Sequence, residues 1–422
     1  MGTANGASSA PCRIPAGPLS SGPGLPHFCD PAAMPLSSSA LEPLLRLYMV
    51  PRVGALRLAQ LIRRFGSAER ALEAPLAEIA ALPRFGAGLA AEVVAAAGQE
   101  ARDRTAKTME RLDALGAVAI TPDDLAYPDA FRVLADAPFL LFATGRLELL
   151  GNQAVGVVGT REPTDYGRQT AMQLAGDLAR AGYQVVSGMA KGIDAASHAG
   201  ALAAGGETVG VLGHGIDLTY PAENKRLFAV MRERGLLVTE LPPGAEPLSG
   251  NFPRRNRLIS ALSEGVLVVE MAVKSGAQHT VGYALEQGKE VFAVPGPIGS
   301  PMSAGTNQLL KEGARVVTSA EDILEELRGV GRSTQVRRPR ASAASEPFEL
   351  ALAPAPAREP VQPDGLSPEE AQAWAALGTE PLHVDDVAAS AGLAPGGVLA
   401  ALLGLELRGA VEQLPGKRYR RC

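Results

Sequence analysis

Hydrophobic positions between residues 153 and 320 follow two patterns that alternate along the chain. Short runs rich in β-branched residues are separated by longer segments with helical spacing of apolar residues, such as 167–181 and 193–204. Strands that alternate with helices along a chain form a mainly parallel sheet with helices on both faces, so this region predicts an α/β domain. The predicted strands are residues 154–158, 184–186, 208–212, 236–239, 266–269, 291–294 and 314–317.

The region before the α/β pattern, residues 41–115, has helical spacing throughout and two related interruptions, 50–54 and 82–86. Each reads as a tight turn into a helix N-terminus, where backbone N–H groups can meet a phosphate. The pair resembles the helix-hairpin-helix module of DNA-binding proteins, although Arg52 and Arg84 stand where that module has its first glycine. A plain helical bundle with glycine at its turns explains the same pattern, and both interpretations stay open.

The two ends and a late linker differ in composition from the packed regions. Residues 1–38 are crowded with Gly, Pro, Ala and Ser and predict a disordered tail, within which Met34 is an alternative start to Met1. Residues 329–365 are rich in proline and predict an extended linker. From Ser367 a capped helix, a helix-turn-helix rhythm and a hairpin at 409–421 look like a winged helix. The predicted domains are therefore a helical domain at 39–118, the α/β domain at 119–328 and a winged-helix domain at 366–422.

Charge and cysteine content narrow the class of protein. The 422 residues carry 40 Lys and Arg against 45 Asp and Glu, a net charge of -5, so any anion site has to be local. The three cysteines, Cys12, Cys29 and Cys422, match neither a metal-ligand nor a redox spacing. Without a long apolar run or a signal-peptide pattern, we expect a cytoplasmic protein with no membrane contact.

Small, hydroxylic and basic residues gather where the predicted strands end. In a parallel sheet ligands bind beyond the carboxyl ends of the strands, so these segments are expected to face one site. They suit a phosphodiester chain or a nucleotide, and Phe252 beside three arginines suits single-stranded nucleic acid, in which a base stacks on an aromatic ring. The segments are residues 159–161, 187–194, 213–215, 252–257 and 274–280.

Other chemistries are less well supported by the residue pattern. Asp194, His198 and His214 lack a further ligand of clear spacing, so no metal is expected, and Asp194 is expected to orient the glycine turn at 187–192. No Ser-His-Asp arrangement has its motif context. Glu270, at the end of an apolar strand, is a catalytic acid or the partner of an arginine, and pairing is preferred. No cofactor is predicted.

The motifs taken in order resemble the DNA-processing protein A family, also called DprA or Smf, over about residues 123–314. They include Val158-Gly159-Thr160-Arg161, Val186-Ser187-Gly188-Met189-Ala190 and Phe252-Pro253-Arg254-Arg255-Asn256-Arg257. The resemblance implies an extended Rossmann-like domain that binds single-stranded DNA, forms a homodimer and loads the RecA recombinase in natural transformation (competence) and homologous recombination, without catalysis. The end domains are candidates for contacts with duplex DNA or with a protein.

The resemblance also implies a DNA pocket, carried over residue by residue. Arg161 would bind a phosphate and Phe252 a base, while the other positions would supply the glycine turn, the basic segment and the opposite wall. The implied DNA-binding residues are Gly159, Thr160, Arg161, Ser187, Gly188, Lys191, Phe252, Arg254, Asn256, Arg257, Gly276 and Thr280.

An enzyme is the alternative, since related Rossmann-like proteins cleave the glycosidic bond of nucleoside monophosphates. They use a loop P-G-G-x-G-T-x-x-E, and in the comparable stretch 274–283 the residue three after Thr280 is Tyr283 and not glutamate. A duplex-binding regulator that acts through its end domains is the third interpretation.

Overall fold

The computed structural model describes residues 38–329, 366–378, 380–408, 410–414 and 417–421. The predicted tail and linker lie, apart from their boundary residues, outside these ranges, as does Met34. The chain divides into two units, one up to Leu350 and one from Ala351, and each is described by itself.

The first unit begins with helices, as the sequence predicts. They enclose a small apolar core that includes Leu45, Leu58 and Ile79, all fully buried. The two predicted turns are present, and the arginine in each, Arg52 and Arg84, has φ of 67°, the left-handed conformation that glycine adopts most easily. The helices are α1 (Ser38–Tyr48), α2 (Ala55–Phe65), α3 (Ala68–Glu73), α4 (Leu76–Ala80), α5 (Gly86–Ala95) and α6 (Gln99–Ala114).

A nine-stranded sheet forms the centre of the unit, in the order β1-β2-β6-β5-β4-β3-β7-β8-β9. All seven predicted strands are confirmed, with ends that shift by at most two residues, and they pair in parallel. The strands are β1 (Val118–Ile120), β2 (Leu141–Gly145), β3 (Ala154–Val158), β4 (Gln184–Ser187), β5 (Thr208–Val211), β6 (Leu236–Thr239), β7 (Gly265–Val268), β8 (Glu290–Ala293) and β9 (Arg315–Val316).

Strands β1 and β2 are the part of the sheet that the sequence pattern missed. Both pair antiparallel, β1 with β2 and β2 with β6, and they extend the sheet at the edge nearest the helical region. Tyr48 of α1 donates a hydrogen bond to the backbone oxygen of Glu240, directly after β6, and its ring lies 6.3 Å from that of Phe142 in β2. The helical region is therefore packed onto this edge of the sheet.

Helices connect the parallel strands and cover both faces of the sheet. The strand order reverses between β3 and β7, which is the position where Rossmann-like sheets open a crevice at their carboxyl edge. The predicted extended Rossmann-like sheet is confirmed. The helices are α7 (Asp129–Arg132), α8 (Asp165–Arg180), α9 (Ile193–Ala203), α10 (Lys225–Arg234), α11 (Asn251–Ala261), α12 (Ala277–Glu286), α13 (Ala304–Lys311) and α14 (Ala320–Gly329).

The second unit has the elements of a winged helix. Ser367 and Glu370 form the predicted capping box at the start of its first helix, and Trp374, Val387 and Leu402 lie in its core. Its three strands pair antiparallel in the order β10-β12-β11, with the predicted hairpin formed by β11 and β12. The elements are α15 (Pro368–Ala376), β10 (Leu382–His383), α16 (Val384–Ala391), α17 (Pro395–Leu407), β11 (Val411–Leu414) and β12 (Arg418–Arg421).

Among the described helices, none is by itself both long enough and apolar enough to cross a membrane. One strongly bent pair in the second unit, Val384–Ala391 with Gly396–Glu406, passes that test of length and composition only when its two helices are taken together.

Candidate nucleic-acid interface

A groove of about 580 Å³ opens at the carboxyl edge of the sheet, where the strand order reverses. The loops after β3 and β7 form its two sides, and the N–H of Thr160 donates a hydrogen bond of 2.8 Å to the oxygen of Glu270 between them. A smaller recess continues from it towards β4 and β5 and shares Arg161, Tyr220 and Phe252 with the groove. The strand-end segments that the sequence singles out therefore meet at one surface.

The glycine-rich turn after β4 is held by buried charged groups. One carboxylate oxygen of Asp194 accepts hydrogen bonds from the N–H groups of Gly188 (3.1 Å) and Ala190 (3.3 Å), which confirms that Asp194 orients this turn. The guanidinium of Arg255 donates to the oxygens of Gly188 (2.8 Å) and Val211. A side chain at Gly188 would clash with both groups, since its Cβ would lie 2.6 Å from Arg255 and 2.7 Å from Asp194.

Burial shifts the pKa values of this pair in opposite senses. Loss of water raises the pKa of Asp194, although nearby Arg255 opposes the shift. The same burial lowers the pKa of Arg255 to about 10, against the attraction of Asp194, so the guanidinium stays charged at neutral pH. Both groups are fully occupied in shaping the turn and the start of α11, and neither is free to exchange protons with a ligand.

Aromatic rings line the wall between the groove and the recess. The ring of Phe252 lies 5.7 Å from that of Tyr220, and the guanidinium carbon of Arg161 lies 5.6 Å from the Phe252 centroid. His214 continues the row at 6.2 Å from Tyr220. Gly213 makes room for the phenylalanine, because a Cβ there would lie 2.8 Å from the ring. A half-exposed aromatic face beside an exposed cation is the arrangement that holds a stacked base and its phosphate.

The basic segment 252–257 is helical, whereas the sequence suggested a loop. It forms the first turns of α11, and the helix separates its residues onto different faces. Phe252, Arg255 and Asn256 line the groove, and Arg254 lies outside it.

Arg257 is not a groove residue either, contrary to its carried-over role. Its side chain is only 3% exposed and forms ion pairs with Glu240 (2.7 Å) and Asp136 (2.8 Å) on the far side of α11. Arg255 and Arg257 both hold this segment in shape, which leaves Arg254 as the exposed arginine of the three.

Glu270 has a different partner from the expected one. It is buried and accepts hydrogen bonds from the backbone N–H (2.9 Å) and the hydroxyl (2.6 Å) of Thr164, the residue that caps α8. Thr164 in turn accepts from the N–H of Gly167. A carboxylate at a helix N-terminus is stabilised by the helix dipole, so Glu270 anchors α8 and pairs with no arginine in the described part of the chain.

The remaining predicted positions occupy different depths. Gly159, Thr160, Gly276 and Thr280 line the groove. Ser187 is fully buried and donates to the oxygen of Val157, so it supports the turn from beneath. Lys191 is exposed at the recess and is paired with Glu223, which is itself exposed. Exposed ion pairs contribute little stability, so an incoming phosphate can compete for this lysine.

The groove also contains residues outside the predicted set, among them Tyr220 and Lys274. Tyr220 is 42% exposed within the aromatic row, and Lys274 lies on the β7 side of the groove. Lys274 begins the predicted strand-end segment 274–280, and Tyr220 lies five residues after the segment 213–215. Helices α9, α11 and α12 also begin at the groove, after Gly192, Gly250 and Gly276, which have no side chain to cap them. At α12 the hydroxyl of Ser275 accepts a hydrogen bond from the N–H of Ala277 instead.

The described residues contain no group of three or more His, Cys, Asp or Glu side chains arranged to hold a metal ion. His198 is fully buried in α9, where Nδ1 lies 2.7 Å from the hydroxyl of Thr208. His214 bonds to backbone oxygens of Gly215 and Tyr220.

Comparison with known proteins identifies the family. Residues 118–328 match the family described as DNA recombination-mediator protein A, and residues 354–417 match the DprA winged helix domain. Protein Smf of Synechocystis sp. is 34% identical over 394 residues, which are 88% of this chain and 96% of that protein. DNA processing protein DprA of Bacillus subtilis is 46% identical over 202 residues, 48% of this chain and 68% of that protein. The X-ray structure of DNA processing protein A from Streptococcus pneumoniae superposes with a TM-score of 0.59 at 32% identity and covers 69% of this chain and 99% of that one. The chain belongs to the DNA-processing protein A (DprA/Smf) family.

Proposed function

We propose that the protein binds single-stranded DNA in the groove at the carboxyl edge of its sheet. The observation that carries the proposal is the position of Phe252, whose ring borders the groove beside the exposed guanidinium of Arg161. An unpaired base can stack on this ring for about 1–3 kcal/mol, whereas a base inside a duplex has no free face to offer. The family description as a recombination mediator supports the same substrate.

The backbone of the strand would follow the cations around the groove. Arg161, Lys191 and Lys274 are exposed at separate points of its rim, where each can meet a phosphate oxygen. None of these groups reads the edge of a base. Binding should therefore depend on salt and only weakly on sequence.

A binding role is favoured over cleavage of a glycosidic bond. The carboxylates of Asp194 and Glu270 are both held by structural hydrogen bonds. Tyr283, at the position where such enzymes have their acid, lines another pocket together with Arg257. Incubation of the protein with a panel of nucleoside monophosphates should release no free base. Release of a base would support the enzyme interpretation instead.

Equilibrium binding to a labelled oligothymidylate tests the proposal directly. We expect Arg161→Ala and Phe252→Ala each to weaken binding, and Phe252→Leu to resemble Phe252→Ala because it keeps apolar volume but removes the ring face. Arg180→Ala is the matched control, since Arg180 is exposed at the opposite end of α8 from the groove. Parental affinity in both Arg161→Ala and Phe252→Ala would exclude this groove as the site.

We further propose that the protein acts as a homodimer through its α/β domain and loads a RecA-type recombinase onto the bound strand during transformation and recombination. The family resemblance supports both statements. Sedimentation of the purified chain tests the dimer. For loading, the protein should accelerate RecA assembly on DNA already coated by a single-strand-binding protein, and the Arg161→Ala variant should not.

A further inference from the structure

A second cleft, of about 1170 Å³, lies between the helical region and the sheet. One wall consists of the turn between α1 and α2, the first part of α2 and Arg84 of the second turn. The other consists of α7 with the segment after it, the residues following β6, and Arg254 of α11. The groove described above uses none of these residues, so the cleft has no assigned role.

The cleft is strongly basic although the chain as a whole is acidic. Its lining contains six arginines and a single acidic residue, Asp136, whose carboxylate is already paired with buried Arg257. The six are Arg52, Arg57, Arg63, Arg84, Arg132 and Arg254. Three of them form ion pairs with acids outside the lining, Arg52 with Glu92, Arg132 with Asp129 and Arg254 with Glu240. Arg63 and Arg84 are exposed and have no acidic partner in the described part of the chain. These unpaired cations attract a polyanion.

The two turns of the helical region are fixed side by side at this cleft. Arg57 donates one hydrogen bond to the oxygen of Arg52 (2.7 Å) and another to that of Arg84 (3.3 Å), so it links the turns through their backbones. Arg52 and Arg84 occupy equivalent left-handed positions, a backbone conformation that is unfavourable for residues other than glycine. At both positions this conformation is adopted by an arginine that lines the cleft.

Helix α11 connects the cleft with the groove. Phe252 and Asn256 face the groove, and Arg254, on the same first turns, faces the cleft. Arg254 is held loosely, since its side chain is 54% exposed and lies 3.4 Å from Glu240. A strand that leaves the groove over the start of α11 therefore meets the cations of the cleft next.

We propose that this cleft is a second binding segment for the phosphodiester backbone of the same single strand, and that it lengthens the site beyond the groove. The inference rests on the proposed function. A single strand fits because the cleft continues from the groove along α11. Its cations are arginines, and the guanidinium of an arginine can donate two parallel hydrogen bonds to the oxygens of one phosphate. The cleft contributes affinity only to strands long enough to reach it.

The test compares oligothymidylates of about 6 and about 20 nucleotides in a salt series, with the full-length chain and the double variant Arg63→Ala/Arg84→Gly. Glycine suits the left-handed backbone at residue 84, and Arg63 lies on an exposed face of α2, so the fold is expected to persist. We expect the double variant to bind the short strand with parental affinity. For the long strand it should lose the additional affinity that the parent shows over the short one. The log–log salt slope for the long strand should fall in magnitude by about 0.7 per arginine removed.

The control variant Arg64→Ala/Arg102→Ala removes the same charge from positions outside the cleft and should behave as the parent for both lengths. Equal losses in the two double variants, or parental affinity of the cleft variant for the long strand, would overturn the inference. The inference would also be overturned if the cleft variant lost affinity for duplex DNA but kept parental affinity for the long single strand. Failure of the parent to bind the short strand would instead contradict the proposed function. If the double variant is unfolded by circular dichroism, the single variant Arg63→Ala provides the same comparison.

Discussion

At the scale of single residues, charged side chains at the candidate site divide into those that shape it and those left free for a ligand. Asp194, Arg255 and Arg257 are buried and have polar or charged partners within the chain, whereas Arg161 and Lys274 are exposed at the groove rim. Burial of a charge is costly unless partners compensate it, so the paired groups are fixed parts of the framework. The ligand-binding groups are the ones that still have solvent around them.

Arg257 gives a sharp test of this division. Replacement by methionine leaves Glu240 buried without its main partner, and removal of one member of a buried ion pair costs about 3–5 kcal/mol. We expect Arg257→Met to lower the free energy of unfolding by that order in urea denaturation. Single-strand affinity, measured where the variant is still folded, should stay near that of the parent.

A second substitution separates charge burial from lost packing in the same variant. Adding Glu240→Gln removes the uncompensated carboxylate, so Arg257→Met/Glu240→Gln should recover part of the lost stability. If Arg257→Met instead unfolds at the parental urea concentration and binds DNA poorly, Arg257 is a DNA ligand and the structural role is wrong.

At the scale of elements, α11 explains which site residues the sequence could predict. The sequence shows that segment 252–257 combines an aromatic residue with basic ones. The surface that each residue faces depends on its position around the helix. Residues 252, 255 and 256 share one face, and residues 254 and 257 point elsewhere, as the spacing of a helix requires. A loop gives no such rule, so the sequence could not separate Arg254 and Arg257 from the residues that line the groove.

The strands show the same dependence on context. Strands β3 to β8 are mainly apolar because both faces of the sheet are covered there, and this signal is strong in the sequence. Strands β1 and β2 pair antiparallel at the edge, and only the four-residue helix α7 lies between them. Their position is set by packing against the helical region, which periodicity along the chain does not encode.

The turn between β4 and α9 makes an element-scale prediction. Gly188→Ala places a methyl group against Arg255 and Asp194, and because Arg255 lies in α11, relief of the clash shifts that helix and Phe252 with it. We expect a loss of about 1–3 kcal/mol in the free energy of unfolding. Single-strand affinity should also weaken, although no ligand-binding side chain has been removed.

Gly282→Ala is the matched control for that substitution. Gly282 lies within α12, and nothing lies within 4 Å of a Cβ built there. Alanine in a helix is favoured over glycine, so this variant should unfold at or slightly above the parental denaturant concentration and bind DNA normally. Parental stability and affinity in Gly188→Ala would show that the turn has room to move independently of α11.

At the scale of the whole molecule, the buried polar groups tie the layers of the first unit together. His198 connects α9 to the sheet, since its Nδ1 contacts the hydroxyl of Thr208 in β5, which itself donates to the oxygen of Val185 in β4. Because the Thr208 hydroxyl donates to that oxygen, Nδ1 has to carry the proton that His198 shares with Thr208. The other ring nitrogen, Nε2, is buried without a hydrogen-bond partner among the described residues, so a second proton there would have no acceptor and the neutral imidazole is favoured in the folded protein.

This neutral histidine makes global stability depend on pH. Burial, with a smaller contribution from Arg255, lowers the pKa of His198 to about 3, against an ordinary value of about 6.5. As the pH falls below about 6.5, His198 binds a proton in the unfolded chain but not in the folded one. The free energy of unfolding therefore decreases until the pH approaches 3. One proton corresponds to a slope of about 1.4 kcal/mol per pH unit in this window.

The variant His198→Asn isolates this effect from the titration of the carboxylates. Its amide can still donate to Thr208 but does not titrate, so carboxylate contributions cancel when parent and variant are compared. Urea unfolding of both proteins between pH 4 and pH 8 should give curves that run parallel above about pH 6.5 and converge as the pH falls, because only the parent loses stability to histidine protonation. Curves that stay parallel down to pH 4 would mean that the folded protein accepts a proton on His198, and that α9 separates from the sheet readily enough to admit it.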